Sequence, residues 1–195
     1  MSRIMLFFIF ILFASHLNGQ ESAYHDSLRI YQQKERKFYL SKLSPFNKAE
    51  KKLFRKSSYY PIDTNYCIWA DFSIIPNPDS IIFPTSSQRM VTYLKYAQIR
   101  FRLQNQWHVL FVYKSPNAQD EDALFLPFQD AGNGKNTYGG GRYLDLNMPA
   151  DNSKIRVDFN RAYHPYCAYS NRFSCPIVPV ENKLPVEIRA GAKLK

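Results

Sequence analysis

The chain has 195 residues, 45% of them hydrophobic and 16% aromatic, which is enough for one domain with a full core and too few for several. Its formal net charge of +10 invites a nucleic-acid reading, but no recognition motif accompanies the charge, so nucleic acid is not an expected partner. The excess gathers in residues 34–37 and 48–56, on what read as helix surfaces, and the partners such a basic face suits are anionic envelope polymers.

The first nineteen residues predict a signal peptide. Ser2-Arg3 is a short basic start, Ile4 to Ala14 is apolar, and Ser15 to Gly19 supplies small and polar residues before a cleavage point after Gly19. About eleven apolar residues are too few to cross a bilayer, which takes ~20, and no later segment is long enough. The expectation is an exported protein of the periplasm or cell envelope, with no membrane span after cleavage and a single domain over residues 20–195.

Residues 21–43 have helical spacing, with Tyr24, Leu28, Tyr31 and Phe38 on one stripe. "SPFNKAEKKLFRKSS" predicts a second, shorter helix, capped either by Ser44 or by Asn47 with Glu50 three residues on, and Pro61 closes the helical part. From Asn65 the period changes to two, with Tyr66, Ile68, Ala70, Phe72 and Ile74 on one face. "YAQIRFRLQNQWHVLFVYK" is the clearest hairpin: Ile99, Phe101 and Leu103 alternate with polar residues, and Trp107, Val109, Phe111 and Tyr113 repeat the alternation after a polar turn. Further short strands are expected at 88–94, 123–128, 137–145, 154–159 and 185–190. No helix-length crossovers separate them, so the fold class is mainly β: an antiparallel sandwich or partly open barrel with two N-terminal helices.

Several chemistries find no support. "GNGKN" lacks the first glycine and the Ser or Thr of a phosphate loop, and no Gly-x-Ser-x-Gly elbow is present. Cys167 and Cys175 bracket a polar loop, "AYSNRFS", that can fold back as a hairpin, and in an oxidising compartment a disulfide is favoured over two free thiols. His164 with these cysteines matches no zinc pattern, so no metal and no cofactor are expected. Cys67 reads as a small buried hydrophobe.

The candidate site is a constellation. Asp130, Tyr138, Arg142, Tyr143 and Asp145 surround Gly139, Gly140 and Gly141, three of only seven glycines, and Asp158, Asn160, Tyr163 and Tyr169 follow. A glycine costs about 0.5–1 kcal/mol against alanine within a strand, so a close approach by another backbone, a ring or a ligand is expected to offset it. The "DFNRAY" segment is the expected neighbour, with Tyr138 and Tyr143 flanking a cleft or seam. Arg142 has two readings: a bidentate grip on an anionic ligand, or a buried staple paired with Asp158 or Asp145.

These residues also carry a resemblance. "LSPF", "LFLPFQDAGNGKNTYGGGRYLDL" and "VDFNRAYHPYCAYSNRFSCPIVPVENKLPVEIRAG" resemble the bacterial domain-of-unknown-function family 1684 over about residues 28–193. Its pattern runs Thr-Tyr-Gly-Gly-Gly-Arg-Tyr, then Asp-Phe-Asn-x-Ala-Tyr-Asn-Pro, two cysteines and Cys-Pro-x-x-Pro-x-Glu-Asn. Ala131-Gly132 departs from the family's usual Thr nearby, His164 stands for the usual Asn, and Ala192 for a Glu. The resemblance implies no activity. Two classes of function remain open: a binding or structural module of the cell envelope with its site at the Gly-Gly-Gly-Arg segment, or a hydrolytic enzyme with Asp130, Asp145 or Asp158 as acid or base and Arg142 as the anion grip.

Overall fold

The computed structural model describes residues 2–151 and 153–194, with side chains from Glu21 onward. The chain divides between Pro45 and Phe46 into two compact units. The first is built on α1 (Ser2–Leu40), so the helix expected over 21–43 is the later part of a longer one. Its turns are laced by Arg29 and Asp26, 3.4 Å apart. The predicted signal peptide falls on residues outside those whose side chains are described. Among the described residues, no helix is long and apolar enough to cross a membrane.

The second unit opens with α2 (Lys48–Phe54). Of the two candidate caps, Asn47 is the one used: its side chain accepts the Glu50 N–H at 3.0 Å, and its own N–H donates to Glu50 Oε2 at 2.7 Å. Phe46 and Phe54 present their rings to Tyr169 at 5.4 and 5.2 Å. Arg172 then forks onto Glu50, Nε to Oε1 and Nη2 to Oε2, both 2.7 Å. That hydrogen-bonded fork pulls the Glu50 carboxyl down to about 2.

The remainder is β: β1 (Ser58–Tyr59), β2 (Cys67–Ile74), β3 (Ser80–Pro84), β4 (Met90–Leu103), β5 (Gln106–Lys114), β6 (Ala123–Phe128), β7 (Arg142–Asn147), β8 (Lys154–Asp158) and β9 (Ala192–Lys193). Strands β7-β6-β5-β4-β2-β8 form one antiparallel, barrel-like sheet in that order, with β3 beside the first half of β4. β1 and β9 make a separate pair. The expected strands at 88–94 and 97–103 are one long strand, bent by an irregularity between Lys95 and Ala97. Ser80–Pro84, within a stretch too short to show periodicity, is an additional strand.

The hairpin is present with its turn at Gln104-Asn105, both at positive φ (50° and 62°), as a tight two-residue connection requires. Its second strand faces the other way from the expectation. Register sets Leu110 opposite Ile99 and His108 opposite Phe101, so His108, Leu110 and Val112 are buried while Trp107 is 57% exposed. Both faces of "WHVLFVY" are apolar, so alternation alone could not choose; the two-residue turn did. The Trp107 ring is used outside instead, with the Arg100 guanidinium 4.3 Å from its centre.

The core gathers Ala70, Phe72, Ile99, Phe101, Leu110, Val112, Leu126, Phe128, Leu144, Val157, Phe159 and Ile188. Residues 185–190, expected as a strand, run irregularly through this core. Asn182 fastens the segment leading to them. Fully buried, it accepts the Phe111 N–H and donates to the Phe111 and Pro127 carbonyls, each at 2.7–2.8 Å. Replacing it by alanine strands one donor and two acceptors in the core. Asn182→Ala should therefore cost about 2–4 kcal/mol in a urea-unfolding measurement.

Candidate functional site

Arg142 opens β7 and is completely buried. Its Nη2 donates to Asp130 Oδ2 at 2.6 Å and to the Ile188 carbonyl at 2.8 Å. Its Nη1 donates to the carbonyls of Ala190 and, at 3.2 Å, Ala192. The expectation of a buried arginine paired with an acid holds, but the acid is Asp130, not Asp158 or Asp145. Strand alternation explains why: Arg142 shares the inward face with Leu144 and Leu146, while Asp145 points outward. The same contacts explain the missing strand at 185–190, because alternate carbonyls of that extended segment are taken by one guanidinium and not by a ladder. Asp130 is held in turn by the Gly132 N–H, which donates to its Oδ1 at 2.7 Å.

The glycines form the turn before β7, not a strand, and they lie elsewhere than expected. Gly141 has φ +96°, and a Cβ there would stand 2.6 Å from the Phe128 carbonyl and 2.7 Å from Val178. At Gly140 the obstacle is the Tyr138 ring, 2.5 Å away. The close approach to the "DFNRAY" segment belongs to Gly191: its Cβ would meet the carbonyls of Phe159 and Ala162, both at 2.6 Å. No sequence signal beyond a lone glycine marked it.

Asp158 and Asn160 are clamps. Asp158 caps the short helical turn after β8, accepting from the Asn160 N–H at 3.1 Å, with Arg156 Nη2 3.9 Å away. Asn160 pairs with the Asp63 backbone through both ends of its amide, at 3.0 and 2.8 Å. His164 is buried between the Tyr138 N–H (3.4 Å from Nε2) and the Tyr169 hydroxyl (3.0 Å from Nδ1). Burial first, and the Arg142 charge second, drive its pKa down to about 3. The ring is neutral, and because Nε2 accepts, Nδ1 carries the proton. Cys167 and Cys175 are disulfide-bonded with Cα atoms 6.2 Å apart; Cys167 sits in a 3₁₀ turn (Tyr166–Ala168), and the loop the bond closes is irregular in place of the expected hairpin. Cys67 is a free thiol, partly buried, receiving a hydrogen bond from Arg156 Nε at 3.0 Å. Among the described residues no cluster of His, Cys, Asp and Glu could hold a metal.

On the outer face beside the sheet's seam lie Asp145, exposed, and Tyr163, half-buried, next to the buried ring of Tyr143. β7 and β8 are the two ends of the strand order and are joined by residues 148–153. Tyr143 of β7 and Tyr163, which follows the short helical turn after β8, exchange backbone hydrogen bonds of 3.0 Å. Beyond that bridge the edges part around a groove of about 870 Å³. Leu144, Leu146 and Ile155 form its apolar floor; Asp145, Asn147, Lys154 and Arg156 stand exposed along its rims; Trp69, Asp158 and Arg161 complete it. Since Tyr143 turns its backbone groups toward the seam, alternation turns those of Asp145 and Asn147 the same way. On β8 the Ser153 carbonyl accepts from Phe72, so Lys154 and Arg156 turn theirs away from β2, into the seam. The Asp145 carboxylate accepts from the Tyr163 hydroxyl at 3.0 and 3.1 Å. Lost hydration pushes its pKa up, and that hydrogen bond pulls it part of the way back.

The family described as "Protein of unknown function (DUF1684)" matches residues 52–193. The chain belongs to it. The DUF1684 assignment agrees with the Thr-Tyr-Gly-Gly-Gly-Arg-Tyr signature, whose arginine proves to be the buried staple. This DUF1684 chain is also similar to the uncharacterized protein from gene locus rrnAC0354 of Haloarcula marismortui, known from a solution NMR structure. The two are 32% identical with a TM-score of 0.71, over 90% of this chain and 97% of that one. No curated protein matches.

Two outcomes follow from this geometry. Arg142→Ala leaves Asp130 buried without its cation and three carbonyls without a donor, and should cost about 3–5 kcal/mol in urea unfolding. His164 takes up a proton in the unfolded chain near pH 6.5 and in the folded one only near pH 3. The stability it contributes is present above pH 6.5 and is lost as pH falls from there toward 3. Comparison with His164→Asn across that window should show the native protein losing about 1.4 kcal/mol per pH unit more than the variant.

Proposed function

We propose that the protein is an exported, non-catalytic binding module of the cell envelope, and that the seam between β7 and β8 is its ligand site, taking an extended polypeptide segment as an added strand. The observation that carries this is the seam itself: two neighbouring strand edges, each with backbone donors and acceptors turned into one groove. A peptide laid there gains ladder hydrogen bonds on both sides, places alternate side chains on Leu144, Leu146 and Ile155, and leaves the others among the rim charges. Those rims mix Asp145 and Asp158 with Lys154, Arg156 and Arg161, which suits a chain of both signs better than a uniformly anionic polymer.

The hydrolytic alternative would have to work with Asp145 and Asp158, the two candidate carboxylates that line the groove, because Asp130 and Arg142 are closed off together in the core. It would also have no anion grip at Arg142.

The test is titration of isotopically labelled protein with extended peptides of alternating apolar and polar residues, followed by NMR. The amides of Asp145, Asn147, Lys154 and Arg156 should shift and gain protection from hydrogen exchange, with the peptide recovered intact. Amides that exchange as fast with peptide as without it would overturn strand addition. Cleaved peptide would turn the assignment to the hydrolytic alternative.

A further inference from the structure

Beside the seam, on the outer face of β6 and β7, lies a second hollow of about 330 Å³. Its walls are the rings of Tyr93, Phe125, Tyr143 and Tyr163, with Pro176 and one charged group, Asp145. The rings brace one another: Tyr93 stacks on Phe125 at 5.3 Å, Phe125 meets Tyr143 edge-on at 4.8 Å, and Tyr143 meets Tyr163 edge-on at 5.9 Å. Two hydroxyls are tethered, Tyr143 to the Pro176 carbonyl and Tyr163 to Asp145. The walls therefore stand in place before any ligand arrives.

Among the described residues no Lys, Arg or His forms an ion pair with Asp145, although other surface carboxylates such as Asp71, Glu181 and Glu187 have one. A carboxylate set among aromatic rings makes the hollow attractive to a positive charge. We infer that this hollow binds an alkylated ammonium group, held by the Asp145 carboxylate and by the faces of the surrounding rings. Aromatic quadrupoles and the carboxylate both favour a positive charge, and neither favours an anion. The alkylated form follows from the lining, which is mostly aromatic and aliphatic carbon with Asp145 as its one charged group. A primary ammonium brings three hydrated N–H donors and gives up water for each one that enters such a lining. A quaternary nitrogen has no N–H to satisfy and gives up little hydration on entering an apolar hollow.

This inference goes beyond the strand-addition reading and does not need it, because a small cation bridges neither strand edge. Choline chloride is the probe, titrated by NMR without peptide, beside its uncharged isostere 3,3-dimethyl-1-butanol and the primary amine ethanolamine. Choline should bind saturably with shifts confined to Tyr93, Phe125, Tyr143, Asp145 and Tyr163, at least about tenfold tighter than either comparison compound. Asp145→Asn, at an exposed position that should leave the fold intact, should weaken choline about tenfold, and Phe125→Leu should weaken it severalfold. The absence of saturable shifts at millimolar choline would overturn the inference. So would equal binding of the uncharged isostere, an affinity indifferent to both substitutions, or a preference for ethanolamine.

Discussion

The buried Arg142 guanidinium is the constraint around which the second unit is arranged. A charge with no exposure is tolerated only where it is paired and hydrogen-bonded; here both Nη groups are taken up by one carboxylate and three main-chain carbonyls, while the Nε–H is buried without a hydrogen-bond partner. Those partners come from two stretches, the turn at Asp130 twelve residues before Arg142 and the segment 188–192 more than forty residues after it. The arginine thereby sets the course of the chain's last described residues. Ile188, Ala190 and Ala192 are placed in the core, Gly191 passes against the carbonyls of Phe159 and Ala162, and β9 arrives alongside β1. Gly141 serves the same end from the other direction, since its left-handed backbone turns the chain into β7 with the guanidinium inward.

Strand alternation makes β7 serve two purposes. Arg142, Leu144 and Leu146 face inward and belong to the staple and core; Tyr143, Asp145 and Asn147 face outward and belong to the seam and the aromatic hollow. Because the inward set is locked, the outward set is held in place on the same strand, with Tyr143 itself packed between Phe125 and Tyr163. The free edges are also guarded. Tyr163 bridges one end of the seam, and Lys154 and Arg156 place charge along the other edge, which disfavours indiscriminate strand pairing. A strand that adds here must therefore suit the rim as well as the ladder.

Much of this architecture was legible before any coordinates. Period-two alternation located β2 and the hairpin, short strands were expected where β6 and β8 lie, and Asn47 with Glu50 was one of two caps the sequence offered for α2. The errors share a cause. At 107–113 both faces are apolar, so only register could choose between them. At 185–190 the strand-like pattern was real, but the carbonyls were claimed by a side chain. At the candidate site, nothing local could show that Arg142 and Asp130 face each other inside the core while Asp145 stands exposed on the outer face.

The sequence by itself determined the mainly antiparallel class, the two helices, the cysteine pair and the family signature, because each rests on spacing within a few residues: a period, a cap, a short loop, a motif. Tertiary structure alone decided which acid neutralises Arg142, which glycine makes the close approach to "DFNRAY", and where the sheet stays open. Those outcomes depend on contacts between stretches a dozen to several tens of residues apart. Loop closure lets several partners reach the same place, and packing, burial and hydrogen-bond satisfaction select among them.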